Sequence, residues 1–284
     1  MIAQYWPWSN GSAQGLLRLG AFVLIAAVFY LAPAKTGFAE ETSSEAQEKS
    51  SEKEDEDWEI KLGVIGGYSP KYEGSDKYSF FVGPKARIAW RDTIVLTDSG
   101  LKVQIQTNGL RFGAVAKYEK GRSDDDDKDI KGVGSVSAGV GLGAFVKYKE
   151  KAYSLSWETR KEVASGHGGI ISEITGDVKL PSAEDPWGKL VAQLVIGDKD
   201  YMEAFYGIDA NQSARSGLST YDADFGLRSL SIAWETEYDL TEHISIGGRL
   251  QYLRMLPEAA DSPIVDDAGS PNNFIGALIL SYEF

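Results

Sequence analysis

Apolar side chains recur at every second position along most of the chain after Trp58. The pattern is clear in residues 110–118 and 230–238, where Leu, Phe, Ile, Trp and Tyr alternate with mainly small or charged residues. Successive side chains of a β-strand point to opposite faces, so this period predicts strands with one apolar face. No segment has the 3.6-residue period of an amphipathic helix, and we therefore expect an all-β domain.

The residues between the apolar positions indicate which face of the strands meets lipid. This second face is rich in Gly, Ser and mixed charges, as in Ser135, Ser137, Gly139, Gly141 and Gly143, and small residues suit the crowded inside of a barrel. An antiparallel transmembrane β-barrel is predicted, with a soluble β-sandwich as the alternative, because sandwich strands alternate too. Aromatic residues near strand ends are typical of barrel girdles, namely Trp58, Tyr68, Trp90, Trp157, Trp187 and Tyr238.

The first 57 residues divide into two segments. Residues 1–39 contain an apolar run at 21–31 after Arg18 and small residues near Ala39, which predicts a cleaved secretory signal peptide. An anchor helix is the alternative, but the run is shorter than the about 20 residues that span a bilayer. Residues 40–57 contain nine carboxylates and two lysines, which predicts a disordered acidic tether. Residues 58–284 then form one barrel domain.

Charge and cysteine content exclude several classes of function. The chain has 29 basic and 42 acidic residues, and removal of Arg18 and Lys35 with the signal peptide changes its net charge from −13 to −15. Such an acidic chain is not expected to bind nucleic acid. The absence of Cys excludes disulfides, thiolate metal sites and cysteine nucleophiles.

We expect about twelve strands, because both termini of a bacterial barrel lie in the periplasm and the number is even. One division of the sequence has separate strands at 94–98 and 101–107. A second division merges them and adds a strand at 201–208. The acidic run 123–129 is extracellular in the first division and periplasmic in the second, whereas loop 256–272 is outside in both. The last strand ends in Tyr282 and Phe284, which resemble the insertion signal read by the barrel-insertion machinery.

Several segments of the barrel domain resemble the MipA/OmpV family of outer-membrane proteins. They are SPKYEGSDKY at 69–78, SGHGG at 165–169, FYGI at 205–208, ARSGLSTYDADFGL at 214–227 and AADSPIV at 259–265. The order Phe205-Tyr206 reverses the family's usual pair of aromatics. The positions that carry the resemblance are Ser69, Pro70, Tyr72, Gly74, Ser75, Gly166, His167, Gly169, Phe205, Gly207, Ser216, Gly217, Asp261, Ser262 and Pro263.

The resemblance implies a non-enzymatic barrel in the outer membrane of a Gram-negative bacterium. For one branch of the family it implies a scaffold that joins a lytic transglycosylase to a penicillin-binding protein, and for others a role in adhesion or envelope stress. A scaffold contact would use the periplasmic turns or the tether at 40–57, although a spacer without a partner is the plainer interpretation of such a charge run.

A small-solute pore is the second function that the sequence allows. Barrels of about 8 strands are filled by side chains and those of about 16 hold a water channel, so twelve strands lie between these sizes. More basic than acidic side chains fall on the predicted lumen face, and a pore would therefore prefer anions. The basic positions are Lys61, Lys85, Arg87, Arg91, Lys102, Arg111, Lys117, Lys147, Arg160, Lys179, Lys189 and Arg249.

A barrel-embedded lipid hydrolase is the least favoured function. His243 and Ser245 are two residues apart, which predicts a base and a nucleophile on one strand face, pointing into the lumen at the periplasmic rim. His167, between glycines, is predicted to lie exposed in a tight turn. The acidic residues of loop 256–272 lack the regular spacing of a Ca²⁺ loop, so a solvated loop is expected. No catalytic residue, cofactor or metal ligand is therefore assigned.

Overall fold

A computed structural model describes residues 57–164, 166–181 and 188–284. The predicted signal peptide at 1–39 and the tether at 40–57, apart from Asp57, lie outside these residues, as do Ser165 and Trp187. The described chain forms a closed antiparallel barrel in which each strand pairs with its sequence neighbours and β1 pairs with β12. The strands are β1 (Trp58–Pro70), β2 (Tyr78–Trp90), β3 (Ile94–Thr97), β4 (Gly100–Thr107), β5 (Leu110–Glu119), β6 (Gly139–Lys149), β7 (Tyr153–Ala164), β8 (Ile170–Lys179), β9 (Lys189–Gly197), β10 (Gly226–Asp239), β11 (Ile244–Met255) and β12 (Asn272–Glu283).

The first of the two strand divisions is confirmed, and the second is wrong. A turn at 98–99 separates β3 from β4, and within it the Thr97 and Ser99 hydroxyls lie 3.0 Å apart. The segment expected to add a strand at 201–208 is instead a helix, because the Asp198 carboxylate accepts the Tyr201 N–H at 2.9 Å and caps it. The helices are α1 (Lys199–Tyr206), α2 (Ala210–Ser216), α3 (Pro257–Ala260) and α4 (Pro263–Asp266), with a 3₁₀ turn at Lys128–Ile130.

Helices between the strands correct the expectation of a chain without helical segments. They are four to eight residues long, which is too short for a clear 3.6-residue period. Within the described residues, no helix has the length and apolarity needed to cross a membrane.

Connection lengths distinguish the two ends of the barrel. The end that holds Trp58 and Phe284 has mostly short turns, of which Asn108-Gly109 has both φ angles positive (45° and 79°), as a tight hairpin requires. Long loops at 120–138, 198–225 and 256–271 lie at the other end. Short turns are periplasmic and long loops extracellular in bacterial barrels. The acidic run 123–129 is therefore extracellular.

The apolar face of the strands points outward. Leu278, Leu250 and Phe80 on three different strands are at least 60% exposed, whereas Ile65 and Val115 of the opposite parity are buried inside. A water-soluble sandwich would bury the first set against a second sheet. The closed wall with an apolar exterior rules out the sandwich alternative. Among the expected girdle residues, Trp58, Tyr68, Trp157 and Tyr238 are at least 49% exposed.

Candidate functional site: the lumen and its extracellular cap

A cluster of charged side chains fills the lumen next to strands β5, β7 and β8. The Arg160 guanidinium, whose side chain is 0% exposed, contacts Glu119 at 2.7 Å and Glu173 at 2.8 Å, and it also pairs with Glu158. Lys117 lies 3.2 Å from Glu173. A buried charge is tolerated only when partners and hydrogen bonds compensate its lost hydration. The five side chains therefore form one compensated network, which we call the Arg160 cluster.

Glycines on β6 make room for the Arg160 cluster. A Cβ atom at Gly141 would lie 2.6 Å from the Glu119 Oε1 atom and 3.3 Å from the Arg160 Cβ atom, closer than side chains pack. This agrees with the interpretation of Gly139, Gly141 and Gly143 as space for lumen side chains. The small residues of one strand thus admit the large charged residues of its neighbours.

Acidic partners offset the basic lumen predicted from the sequence. Of the twelve basic positions named above, all but Lys179 have a carboxylate oxygen of a described residue within 4.0 Å. Lys85 pairs with Asp98 at 3.0 Å, and Lys189 pairs with Glu235 at 3.0 Å. The count of lysines and arginines therefore overstates the free positive charge that a solute would meet.

A cavity of about 250 Å³ in the lumen extends past the Arg160 cluster, from the extracellular loops to Lys147 and Lys189 in the periplasmic half of the wall. Its walls include lumen residues such as Glu173 and Arg249, and residues of the extracellular loops close its upper side. The loop residues that line it are Tyr72, Glu73, Lys120, Arg122, Tyr201, Phe205 and Tyr206.

The extracellular loops pack into a cap with its own apolar core. Tyr201, Met202 and Tyr206 of α1 are buried against Met255 and Val265. A second cluster joins Tyr72 to Ile130, Val133, Ile208 and Ile264 from the other loops. Burial of this kind contributes about 25 cal/mol per Å² of apolar surface removed from water. The cap is therefore a packed layer and not a set of independent loops.

Polar contacts fix the cap to the barrel. The Arg228 guanidinium contacts Glu73 at 2.9 Å and donates to the Tyr201 hydroxyl at 2.6 Å. The Tyr72 hydroxyl donates to the Ala268 carbonyl at 2.9 Å. Burial raises the pKa of Tyr72 and that of Tyr201 to about 12. Both phenols therefore stay neutral at physiological pH, the Tyr72 hydroxyl as a donor and the Tyr201 hydroxyl as an acceptor.

The positions that carry the family resemblance collect in this cap and at the strand ends beneath it. Gly74 N–H donates to Asn273 Oδ1 at 2.9 Å, and the Ser262 hydroxyl donates to the Tyr206 carbonyl at 2.6 Å. Gly217 ends α2 with a φ of 80°. Ser69, Ser75 and Pro263 are buried, and Pro70 and Phe205 line the lumen cavity. The remaining positions, Gly166, Gly169, Gly207, Ser216 and Asp261, lie in the same loops or at the ends of their helices.

The exposed ring expected at His167 is wrong. The ring packs edge-on against Tyr201 and Phe205, with centroid distances of 4.8 Å and 5.3 Å. Its Nδ1 atom accepts the Gly169 N–H at 3.0 Å, and burial lowers its pKa. Contacts with α1, which begins 32 residues later in the chain, determine where the ring lies. The sequence around His167 does not indicate these contacts.

The two sequence-based candidates for chemistry are not assembled into sites. His243 lies at the periplasmic rim, where its ring stacks on the lipid-facing Tyr282 at 5.6 Å instead of pointing into the lumen. The Ser245 hydroxyl donates to Glu237 at 2.9 Å. In loop 256–272, residues 257–260 form α3 and residues 263–266 form α4, in which Ile264 and Val265 are buried, so the expected solvated loop is partly wrong. Within the described residues, no group of three acidic or His side chains is arranged to hold a metal ion.

Sequence reasoning missed the Arg160 cluster and the Arg228 contacts. The Arg160 cluster could have been predicted, because Glu158, Arg160 and Glu162 all fall on the lumen face of β7, beside the glycines of β6. No comparable signal existed for Arg228, because a bulge between Leu227 and Ser229 shifts its register.

Comparison with known proteins identifies the family. The family described as MltA-interacting protein MipA matches residues 62–284, almost the whole barrel. The chain belongs to the MipA family. It is 23% identical over 149 residues to the Escherichia coli K12 protein named "Putative outer membrane protein YiaT", an alignment that covers 51% of this chain. The chain spans 58% of the length of that relative.

Solved structures of other outer-membrane proteins are also similar to this MipA-family barrel. Pseudomonas putida OprB is 14% identical with a TM-score of 0.37, over 70% of this chain and 49% of OprB. Pseudomonas aeruginosa OprD is 13% identical with a TM-score of 0.36, over 78% of this chain and 65% of OprD. The family and the curated relative put the barrel in the outer membrane of a Gram-negative bacterium.

Proposed function

We propose that this MipA-family barrel is a closed, non-enzymatic anchor that scaffolds peptidoglycan enzymes at the periplasmic side of the outer membrane. One observation carries the proposal: the Arg160 cluster fills part of the lumen and the packed cap covers the extracellular mouth. A barrel closed in this way is suited to hold a position in the membrane. The family description, MltA-interacting protein, supports a lytic transglycosylase as the partner. A penicillin-binding protein is the second proposed partner.

Two features support the non-enzymatic part of the proposal. Catalysis by His243 and Ser245 would need the imidazole to reach the hydroxyl. The ring stacks on Tyr282, while the hydroxyl is hydrogen-bonded to Glu237. An assay of lipid hydrolysis with the purified barrel is expected to give no activity above that of Ser245→Ala.

Among the described residues, the turns at the periplasmic end offer few surfaces for a partner. The turn at 108–109 has two residues, and the one at 240–243 has four. We therefore place the docking arm in the acidic segment 40–57, whose charge favours a basic surface on the partner, with the periplasmic turns as the alternative. Contact through this segment would be strongest at low salt, because exposed charges are screened within about 10 Å at 0.1 M.

Affinity capture from crosslinked envelopes tests the scaffold. The mature chain is compared with a variant that lacks residues 40–57 and with one in which a Gly/Ser segment of equal length replaces them. Recovery of a transglycosylase or penicillin-binding protein by the mature chain alone supports both the scaffold and its arm. Equal recovery by all three supports the scaffold but moves the contact to the turns. Recovery by none contradicts the proposal.

A gated pore for small polar solutes is the second candidate. The lumen cavity of about 250 Å³, with Lys147, Lys189 and Arg249 on its wall, favours it. Planar-bilayer recordings of the purified barrel are then expected to give anion-preferring conductance. Arg249→Glu should weaken that preference, and Lys128→Glu on the external loop is the control. Absence of conductance, or indifference to Arg249→Glu, argues against the pore.

A further inference from the structure

Two cations on the wall of the lumen cavity lack an acidic partner. Lys120 and Arg122 both line this cavity, in the loop that follows β5. Neither has a carboxylate oxygen of a described residue within 4.0 Å. The other basic residues that line the cavity do have one, namely Lys117, Lys147, Lys189, Arg228 and Arg249. The positive charge that acidic side chains leave without a direct partner is therefore concentrated beneath the cap.

The Arg122 guanidinium is buried without an ionic partner. The residue is 6% exposed, and it donates to the Phe205 and Gly134 carbonyls, while its Nε atom has no hydrogen-bond partner among the described residues. Burial lowers the pKa of Arg122 and that of Lys120, because a charge removed from water is costly unless it is paired. Asp124 and Asp126 favour these charges from the same loop, but they lie beyond 4.0 Å and do not line the lumen cavity. An anion in the cavity would supply the missing compensation.

A hydroxyl group on the same wall is also without a partner. Tyr206, the last residue of α1, is 2% exposed and lines the cavity, and its hydroxyl forms no hydrogen bond with a described residue. Burial and then the Glu73 carboxylate raise the pKa of Tyr206 well above its usual value, and Glu73 also opposes the effect of burial on Lys120. The Lys120 and Tyr206 donors therefore lie near the same carboxylate. Glu73 is itself paired with Arg228 at 2.9 Å, which leaves both donors available to a ligand.

The wall opposite these donors is apolar. In the closed ring of twelve strands, β11 lies six strands from β5 in either direction, on the other side of the lumen. Leu253 of β11 and Ile275 of β12 line the cavity there, close to the extracellular ends of their strands. Phe205 also lines the cavity and packs against the apolar cluster that contains Leu253. A ligand beneath the cap would thus meet donors on one side and apolar side chains on the other.

We propose that this part of the cavity binds a small aromatic carboxylate, with its carboxylate on Lys120 and the Tyr206 hydroxyl. Two donors match the two oxygens of one carboxylate, and the nearby Arg122 guanidinium stabilises the negative charge. A phosphate would bring further oxygens and a second charge for which this wall offers no donors. The ring of the ligand packs among Phe205, Leu253 and Ile275, where aromatic stacking on Phe205 adds to apolar burial. Binding here requires neither the scaffold nor conductance, so it can be tested separately from both.

Equilibrium dialysis of radiolabelled benzoate against the full mature protein in lipid nanodiscs tests the site, with empty nanodiscs as the blank. Saturable binding of one benzoate per barrel is expected. Unlabelled benzoate should compete. Benzyl alcohol, which keeps the ring, and acetate, which keeps the charge, should compete at least tenfold more weakly. Absence of saturable binding overturns the proposal, as does competition by benzyl alcohol or by acetate equal to that of benzoate.

Substitutions of the two donors separate this site from other binding to the barrel. Lys120→Met keeps an unbranched side chain and is expected to weaken benzoate binding about tenfold, as loss of a hydrogen bond to a charged group does. Lys179→Met is the matched control, because Lys179 also lacks a carboxylate of a described residue within 4.0 Å but does not line the cavity. Tyr206→Phe keeps the ring and should weaken binding severalfold.

Heat-dependent gel mobility identifies the folded variants. Tyr206→Phe should fold normally, because the hydroxyl that it removes bonds to no described residue. Unchanged benzoate affinity in folded Lys120→Met or in folded Tyr206→Phe refutes the site, and so does an equal loss in Lys179→Met.

Discussion

Arg160→Ala is expected to destabilise the barrel strongly. Glu158 and Glu173 keep Lys102 and Lys117 as partners, at 2.5 Å and 3.2 Å. Glu119 is 5% exposed, and Arg160 is the one cation within the described residues that its carboxylate contacts. Breaking a buried pair and leaving one charge behind costs about 3–5 kcal/mol. We expect a loss in this range because one carboxylate is left without a cation.

Equilibrium urea unfolding in lipid vesicles, followed by tryptophan fluorescence, measures this loss. At a urea dependence of about 3 kcal/mol per M, a loss of about 4 kcal/mol lowers the midpoint by more than about 1 M. Arg111→Ala is the matched control, because Arg111 is partly exposed and, within the described residues, pairs with one carboxylate, that of Asp92 at 3.2 Å. Its expected cost is below about 1 kcal/mol.

A second substitution distinguishes electrostatics from lost packing. Arg160→Ala combined with Glu119→Gln removes the carboxylate left unpaired and should recover part of the stability. If Arg160→Ala costs no more than Arg111→Ala, the Arg160 cluster is hydrated and our reasoning is refuted. If the double variant is as unstable as Arg160→Ala, the loss comes from packing and not from charge.

Three further predictions address the cap, the insertion signal and the topology. Since burial raises the pKa of Tyr72 and Tyr201 to about 12, the folded state holds protons that the unfolded state loses near pH 10. The free energy of unfolding should therefore fall between about pH 10 and 12, by up to about 1.4 kcal/mol per pH unit for each phenol. In Tyr72→Phe and in Tyr201→Phe it should fall less steeply. Phe284→Ala, at a terminal ring that is 68% exposed, should reduce the heat-modifiable fraction in membranes, and normal assembly would contradict the insertion signal. A membrane-impermeant amine reagent on intact cells should label Lys128, whose side chain is 85% exposed, and not Lys151 of a periplasmic turn; the reverse would invert the topology.

Local patterns were sufficient to predict the wall of the barrel. The two-residue period depends on the pleat of each strand, so it appears in residues 110–118 without knowledge of any neighbour. Asn108-Gly109 likewise marks a hairpin through its own backbone preferences. The outward apolar face followed from the small residues of the opposite parity. For these reasons the strand number and the lipid-facing side of the wall were accessible from the sequence, whereas the choice between the two strand divisions was not.

Contacts between distant residues decided the rest. The Tyr72 hydroxyl donates to the Ala268 carbonyl across 196 positions, and His167 is covered by α1, which Asp198 caps and in which Tyr201 is buried. The length of β3 depends on where its pairing with β2 ends. The alternation of side chains along the strands predicted a basic lumen, but the positions of the carboxylates decide which charges remain available. Amino-acid patterns thus determined the wall, and tertiary packing determined the cap, the lumen network and the candidate sites.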